Sequence, residues 1–177
     1  MGINDNLIED YRSVITNTIL SNETIVRVLS NNNENQNDDD DEFDYDSACE
    51  SLLWTHLVPQ QYIPDTITET GSYILYDMDE NVLYSKGSTK GTYTELTLYF
   101  WVLTHKDMPK YKGRLRNDIL SRELKKMFNE TDGLGVAKNH LIHNSIYNTP
   151  NYKYMGRLLA FKITDWSDKL RGLGNEQ

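Results

Sequence analysis

Between Thr92 and Phe128 the chain carries a strand that is apolar on both faces, then a charged turn, then a helix. In Thr92-Tyr-Thr-Glu-Leu-Thr-Leu-Tyr-Phe-Trp-Val-Leu103, one pleat face holds Leu96, Leu98, Phe100 and Val102, and the other holds Tyr99, Trp101 and Leu103. Successive side chains of a strand point to opposite faces, so a helix packed on one face cannot cover the other. Such a strand belongs inside a sheet. Its second, aromatic face calls for another layer, which the N-terminal helices are long enough to supply, or for another subunit. We favour assembly.

The rest of the pattern fits a single domain. A chain of 177 residues buries roughly 70% of its unfolded surface. Asp5 to Leu20 reads as an amphipathic helix through Leu7, Tyr11, Val14, Ile15 and Ile19, with Asn4 or Asp5 placed to cap it. Ser21 stands where it would cap a second short helix carrying Ile25, Val26 and Leu29. No apolar residue lies between Leu29 and Phe43, so a mobile acidic loop is expected over residues 30–46. Asp46 or Ser47 restarts a helix through Leu52, Leu53 and Leu57, ending before Pro59.

Strands are predicted at Ser72 to Asp77, Thr92 to Leu103, His140 to Tyr147 and Gly156 to Asp165. Lys86 to Gly91 reads as a polar, Gly-bounded loop. Leu115 to Phe128 is the strongest helix, with a stripe of Ile119, Leu120, Leu124, Met127 and Phe128 and an Asp118–Arg122 pair on its outer face. The organisation is therefore N-terminal helices over 1–29, the acidic loop over 30–46, a core domain over 47–166 and a tail over 167–177. The fold class expected is α+β: an antiparallel or mixed sheet of four to five strands, with a crossing helix and the N-terminal helices packed on it.

Charge is polarised along the chain, which has a formal net charge of −9. Asp38, Asp39, Asp40, Asp41, Glu42, Asp44 and Asp46 place seven acids in nine positions, whereas Lys106 to Lys126 holds eight Lys or Arg against three acids. A net acidic surface argues against ordinary duplex binding through phosphates. The basic segment has three readings: a solvated helix face and turn, a nucleic-acid contact, or a patch that meets an acidic surface on another copy. Complementary patches at different places on one subunit suit a head-to-tail contact.

The sequence offers little catalytic chemistry. One cysteine, Cys49, excludes an intramolecular disulfide and multi-cysteine metal sites. An EF-hand register begun at Asp38 or Asp40 puts Phe43 or Tyr45 where glycine is required, so the acidic run reads as a solvated loop. His140 and His143 are three apart, which on a regular strand faces them to opposite sides. Asp77, Asp79 and Glu80 follow a predicted strand end and read as a polar turn; a hydrolase built on them and a histidine is the most remote of the functional readings. Gly133-Leu-Gly-Val-Ala137 does not follow a strand in a βαβ unit and is no dinucleotide fingerprint. No enzyme, cofactor or metal is expected. No run nears the ~20 apolar residues of a membrane span. Met1 to Leu7 lacks both the regions of a signal peptide and the Ser or Thr of a myristoylation motif, so assembly in a reducing cytoplasm is expected.

The order of several short motifs carries a resemblance. Tyr62-Ile-Pro-Asp-Thr66 and Ser72-Tyr-Ile-Leu75 precede Leu98-Tyr-Phe-Trp-Val-Leu-Thr-His105. Arg116-Asn-Asp-Ile-Leu120, Gly133-Leu-Gly135 and Tyr154-Met-Gly-Arg-Leu-Leu159 follow, leading to Thr164-Asp165. Together, over Tyr62 to Trp166, they resemble small neck or head–tail joining proteins of tailed bacteriophages, particularly of the tail-terminator type. The acidic insertion lies outside that pattern.

The resemblance implies a non-enzymatic ring subunit, often six-fold, that caps the tail tube, contacts neighbouring neck and tail-tube proteins, and leaves a channel for DNA. It implies a place in the virion. The candidate subunit interface is Tyr99, Trp101, Leu103, Arg114 and Arg116. An acidic binding protein such as a DNA mimic, built on the acidic loop, is the alternative.

Overall fold

A computed structural model describes residues 5–31, 43–60, 70–83 and 93–166. The described elements run α1 (Asp5–Leu20), α2 (Glu23–Ser30), α3 (Tyr45–Leu52), β1 (Leu57–Val58), β2 (Ser72–Leu83), β3 (Tyr93–His105), β4 (Lys110–Tyr111), β5 (Arg114–Leu115), α4 (Arg116–Phe128), β6 (His140–Tyr147) and β7 (Tyr154–Trp166). Five strands form one mixed sheet in the order β1-β2-β3-β7-β6, and β4 and β5 make a separate hairpin. The α+β expectation holds.

The two-faced strand is the middle of this sheet. β3 pairs antiparallel with β2 from Tyr93–Leu83 to Thr104–Ser72, and with β7 from Tyr93–Trp166 to His105–Tyr154. Its Leu96, Leu98, Phe100 and Val102 face the main core, which all four described helices share: Ile15 and Ile19 of α1, Ile25 and Leu29 of α2, Leu52 of α3, and Leu120 and Leu124 of α4. Phe128 closes this core aromatically, its ring 5.1 Å from that of Phe100 and 6.1 Å from that of Phe161. The Tyr11 hydroxyl donates to the buried Asp165 carboxylate and ties α1 to the end of β7. Among the described residues no helix is long and apolar enough to cross a membrane.

Several local expectations are corrected by tertiary pairing. The N-cap of α2 is Asn22, whose side chain accepts from the Ile25 amide, while the Ser21 hydroxyl donates to Thr18 O. α3 starts after Asp44 and stops at Leu52; Leu57 leaves it to pair with Ile74 of β2. Asp77, Asp79 and Glu80 are strand residues, held in β2 by register with Tyr99, Thr97 and Leu96. Asp118 bonds Arg157 at 3.3 Å and Arg122 bonds Glu123 at 3.1 Å, so the expected Asp118–Arg122 pair does not form. Lys86 to Gly91, residues 61–69 and the C-terminal segment 167–177 lie outside the described residues.

The turn after α4 depends on one glycine. Gly135 has φ +76, and a Cβ there would overlap the Thr164 carbonyl oxygen of β7. Leu134 beside it is buried in the main core, and the Val136 amide donates to that same Thr164 oxygen at 2.8 Å. Replacing Gly135 with alanine adds both backbone strain and a clash. Gly135→Ala is expected to lower stability by about 2–3 kcal/mol, read as a lower urea midpoint at unchanged slope.

Candidate interaction surface

The second face of β3 forms its own cluster. Val58, Tyr73, Leu75, Trp101, Leu103 and Tyr154 are buried together, with Tyr99, Tyr147 and Leu158 partly buried against them. The rings interlock: His56 stacks on Tyr73 at 4.8 Å, Tyr73 meets Tyr154 edge-on at 5.8 Å, and His105 meets Tyr154 edge-on at 5.1 Å. No described helix contributes to this cluster, because all four pack on the opposite face. The N-terminal helices are therefore not the cover of the Trp101 face.

The candidate interface residues divide sharply. Trp101 is 6% exposed and Leu103 1% exposed within the single chain, so both belong to the subunit's own interior. Tyr99 is half-buried and stacks on Trp101 at 5.7 Å. Arg114 is exposed on β5, whereas Arg116 is fully buried. The Arg116 Nε donates to Lys110 O at 3.0 Å and its Nη1 to Val28 O at 2.7 Å, with the guanidinium carbon 5.5 Å from the Tyr111 ring centre. It is an internal strut between the end of α2, the β4–β5 hairpin and the start of α4, not a rim charge.

The acidic segment is described only at its end. Asp38, Asp39, Asp40, Asp41 and Glu42 lie outside the described residues. Asp44 accepts from the Ser47 amide at 3.1 Å as the N-cap of α3, and Asp46 is an acid in that helix's first turn. Both positions favour a helix start. The loop expected over 30–46 is thus shortened at both of its described ends, since α2 runs to Ser30 and α3 begins at Tyr45.

The histidines and the Asp77 carboxylate are engaged within the chain. A register shift at Ile142 brings His140 and His143 to the same face, opposite Lys162 and Ala160, which a regular strand would not do. His140 Nδ1 meets Glu130 at 2.8 Å and His143 Nε2 meets the Ser145 hydroxyl at 2.8 Å. His56 Nδ1 donates to Ser72 O at 2.8 Å, and His105 Nδ1 accepts from the Asp107 amide at 3.2 Å. The Arg12 guanidinium donates to Asp77 at 2.9 Å. Among the described residues no group of three His, Cys, Asp or Glu could hold a metal. Burial holds the Cys49 thiol above its ordinary pKa, so little thiolate is available there.

What the surface does offer is charge segregation. The exposed side chains of Lys110, Lys112 and Arg114 crowd the β4–β5 hairpin, whose two-residue turn, Lys112-Gly113, has φ +47 and +77. Lys106 and Lys153 add two exposed cations nearby, their backbones joined by a 2.8 Å bond. Asp44, Asp46 and Glu50 are exposed on α3.

The sheet, its one-sided helical layer, the basic hairpin and the acids of α3 define a small α+β domain with separate basic and acidic patches. A family model, YomW, matches residues 22–163, and the chain belongs to the YomW family. The family is named in the manner of gene products of an SPBeta-like Bacillus prophage, which points to a phage-associated protein. No curated protein matches the chain. The match takes in the acidic segment and leaves out α1, although Ile15 and Ile19 of α1 are fully buried in the main core.

Two features went unread in the sequence: the inward turn of Arg116, and the exposed Trp54 after α3. An arginine opening a helix gives no pattern that marks it as buried. Trp54 sits among Leu52, Leu53 and Leu57, whose spacing imitates a continuing helix.

Two substitutions separate interior from surface. Trp101→Ala is expected to cost about 3–5 kcal/mol of stability by leaving a cavity, seen as a large drop in the denaturation midpoint. Arg116→Ala is expected to cost about 3 kcal/mol because it strands the Val28 and Lys110 carbonyls, while Arg114→Ala stays within about 0.5 kcal/mol of wild type. Thermal melts of the purified variants check all three.

Proposed function

We propose that the chain is a structural subunit of a ring at the neck or tail terminus of a tailed bacteriophage. In this reading it caps the tail tube, joins it to the head and leaves a central channel for DNA. It performs no catalysis and takes no cofactor. Its partners are further copies of itself, six being the expected ring order, and the adjoining neck and tail-tube proteins. DNA passes through without sequence-specific contact. Assembly takes place in the host cytoplasm and the product resides in the virion.

The observation that carries the reading is the segregation of charge on a single rigid sheet domain. Lys110, Lys112 and Arg114 stand on the hairpin that leads into α4, and Asp44, Asp46 and Glu50 stand on α3. Surfaces of opposite sign at different places on one subunit favour head-to-tail contact, which closes into a ring when the rotation allows. Membership in a phage-associated family and the ordered resemblance to neck proteins support the same conclusion. The DNA-mimic reading gains no support from Asp44 and Asp46, which open a helix rather than continue a row of acids.

Such rim charges set register and encounter rate and are screened by salt. Raising salt from roughly 0.1 M to 1 M shortens the screening length from about 10 Å to about 3 Å. Sedimentation velocity is expected to show self-association at the lower salt that weakens by about tenfold or more at the higher. A protein that stays monomeric at every concentration, and is absent from purified virions by mass spectrometry, would overturn the reading.

A further inference from the structure

Two exposed apolar features lie at opposite edges of the sheet. At the β1 edge, Trp54 is 60% exposed and stands at the lip of an open cavity of about 440 Å³ shared with Arg12, Thr16, Leu53, Pro59 and Tyr76. The turn that carries it is firmly bonded. The Trp54 amide donates to Leu57 O at 2.9 Å, the His56 amide to Leu52 O at 2.9 Å, and the Ile74 amide of β2 to His56 O at 2.8 Å. The indole is therefore presented on a fixed base. At the β6 side, a groove of about 240 Å³ runs between Pro109, Leu115, Ile146 and Met155, large enough for one aromatic side chain. Ile146 on its rim is 78% exposed and Leu115 is 46% exposed. Four inter-strand steps separate β1 from β6, about 19 Å in all.

Both features break a local rule. Trp54 follows the C-cap of α3 with φ 65, a left-handed backbone that glycine adopts freely and a bulky side chain adopts under strain. Leu115 occupies the N-cap of α4 with no side-chain bond to the helix amides, where Ser, Asp or Asn would be stabilising. Each residue also leaves apolar surface in water. Trp54 is thus unfavourable in backbone and exposure, and Leu115 in capping and exposure, a combination that points to function.

Charge completes the match. Trp54 comes four residues after Glu50 at the end of α3, the helix that also exposes Asp46. Leu115 follows the exposed Lys110, Lys112 and Arg114 in the β4–β5 hairpin, and the groove itself is lined by Asp118 and Arg157, which pair with each other at 3.3 Å.

We infer that Trp54 of one copy inserts into the Pro109–Leu115–Ile146–Met155 groove of the next, with the exposed acids of α3 turned toward the basic β4–β5 hairpin. This rests on the ring reading above and names its contact. The knob and the groove lie at opposite sheet edges, so the contact is head-to-tail and each subunit uses both. An aromatic anchor in an apolar groove with a charged rim is the composition of an interface hot spot.

The test uses the full chain and two variants, Trp54→Gly and Leu115→Asp. Glycine suits the left-handed backbone and aspartate suits the N-cap, so both variants are expected to melt at or above the wild-type temperature. Each is expected to weaken self-association by about thirtyfold or more in sedimentation velocity. Mixed in equal amounts, they pair through the one intact knob and the one intact groove and give dimers but no larger species. Wild-type protein that grows past the dimer while the mixture stops there marks a head-to-tail contact, since an interface using the same patch twice would stop at the dimer in the wild type too. Wild-type protein that assembles alongside variants that assemble equally well would overturn this contact and leave the ring reading standing. A large fall in melting temperature for Trp54→Gly would show Trp54 to be structural and would also overturn it. Wild-type protein that is monomeric throughout would remove the ring reading and this inference together.

Discussion

Everything else in this fold is arranged around β3, which is hydrogen-bonded along nearly its whole length on both sides and apolar on both faces. Its length dictates long antiparallel partners, and β2 and β7 supply them. Its two faces need two kinds of cover, because a pleated strand cannot turn all its apolar residues one way. The main face receives all four described helices. The other carries a second buried cluster, Trp101 among Tyr73, Tyr99 and Tyr154, that no described helix joins. The aromatic face that first suggests a subunit interface is in large part an interior. Among the described residues the most exposed large apolar side chains are Ile146 of β6, Tyr152 between β6 and β7, and Trp54 after α3.

Arg116 settles how the flank near β6 is built. A buried guanidinium is tolerated only when its donors are bonded, and here two backbone carbonyls from separate elements receive it. That requirement fixes the end of α2 and the β4–β5 hairpin relative to the first turn of α4. The Pro109 carbonyl accepts from the Arg116 amide at 2.9 Å, adding a second clamp at the same residue. The basic hairpin is thereby held at the mouth of the Leu115 groove rather than left to swing. The charge that looks like part of a surface patch in the sequence holds the patch in place from inside.

How much was legible follows the reach of each signal. Period-two alternation placed β6 at His140 to Tyr147 and the middle of β3, and period 3.6 placed α4 to within a residue. These patterns are local and strong. The end of α3 was not legible, because Leu52, Leu53 and Leu57 keep helical spacing while Leu57 is claimed by pairing with Ile74 across the sequence. Asp77 to Glu80 looks like a turn by composition, yet register with β3 holds it extended. A bulge at Ile142 undid the argument that separated His140 from His143. The interface residues were read from one face of one strand, and what they lacked was the third dimension that shows Trp101 and Arg116 to be enclosed.

Three described non-glycine residues have positive φ, and comparing them isolates what is unusual about Trp54. Lys112 at φ 47 sits in the two-residue turn of the β4–β5 hairpin, where a right-handed strand twist requires such a backbone. Glu130 at φ 59 follows the C-cap of α4, and its amide donates to Asn139 O at 2.7 Å. Both are polar and both reach into water at no further cost. Trp54 follows the C-cap of α3 in the same way, so the conformation of its backbone is explained by the helix ending. Its identity is not. A tryptophan there adds side-chain strain to a large apolar area left in solvent, and the folded chain gains nothing visible in return. Leu115 presents the same imbalance at the opposite flank, an apolar residue at a helix start that a small polar one would stabilise. Two such imbalances stand at opposite edges of one sheet, one a projection and the other the wall of a groove, and the contact proposed above would take the exposed apolar surface of both out of water.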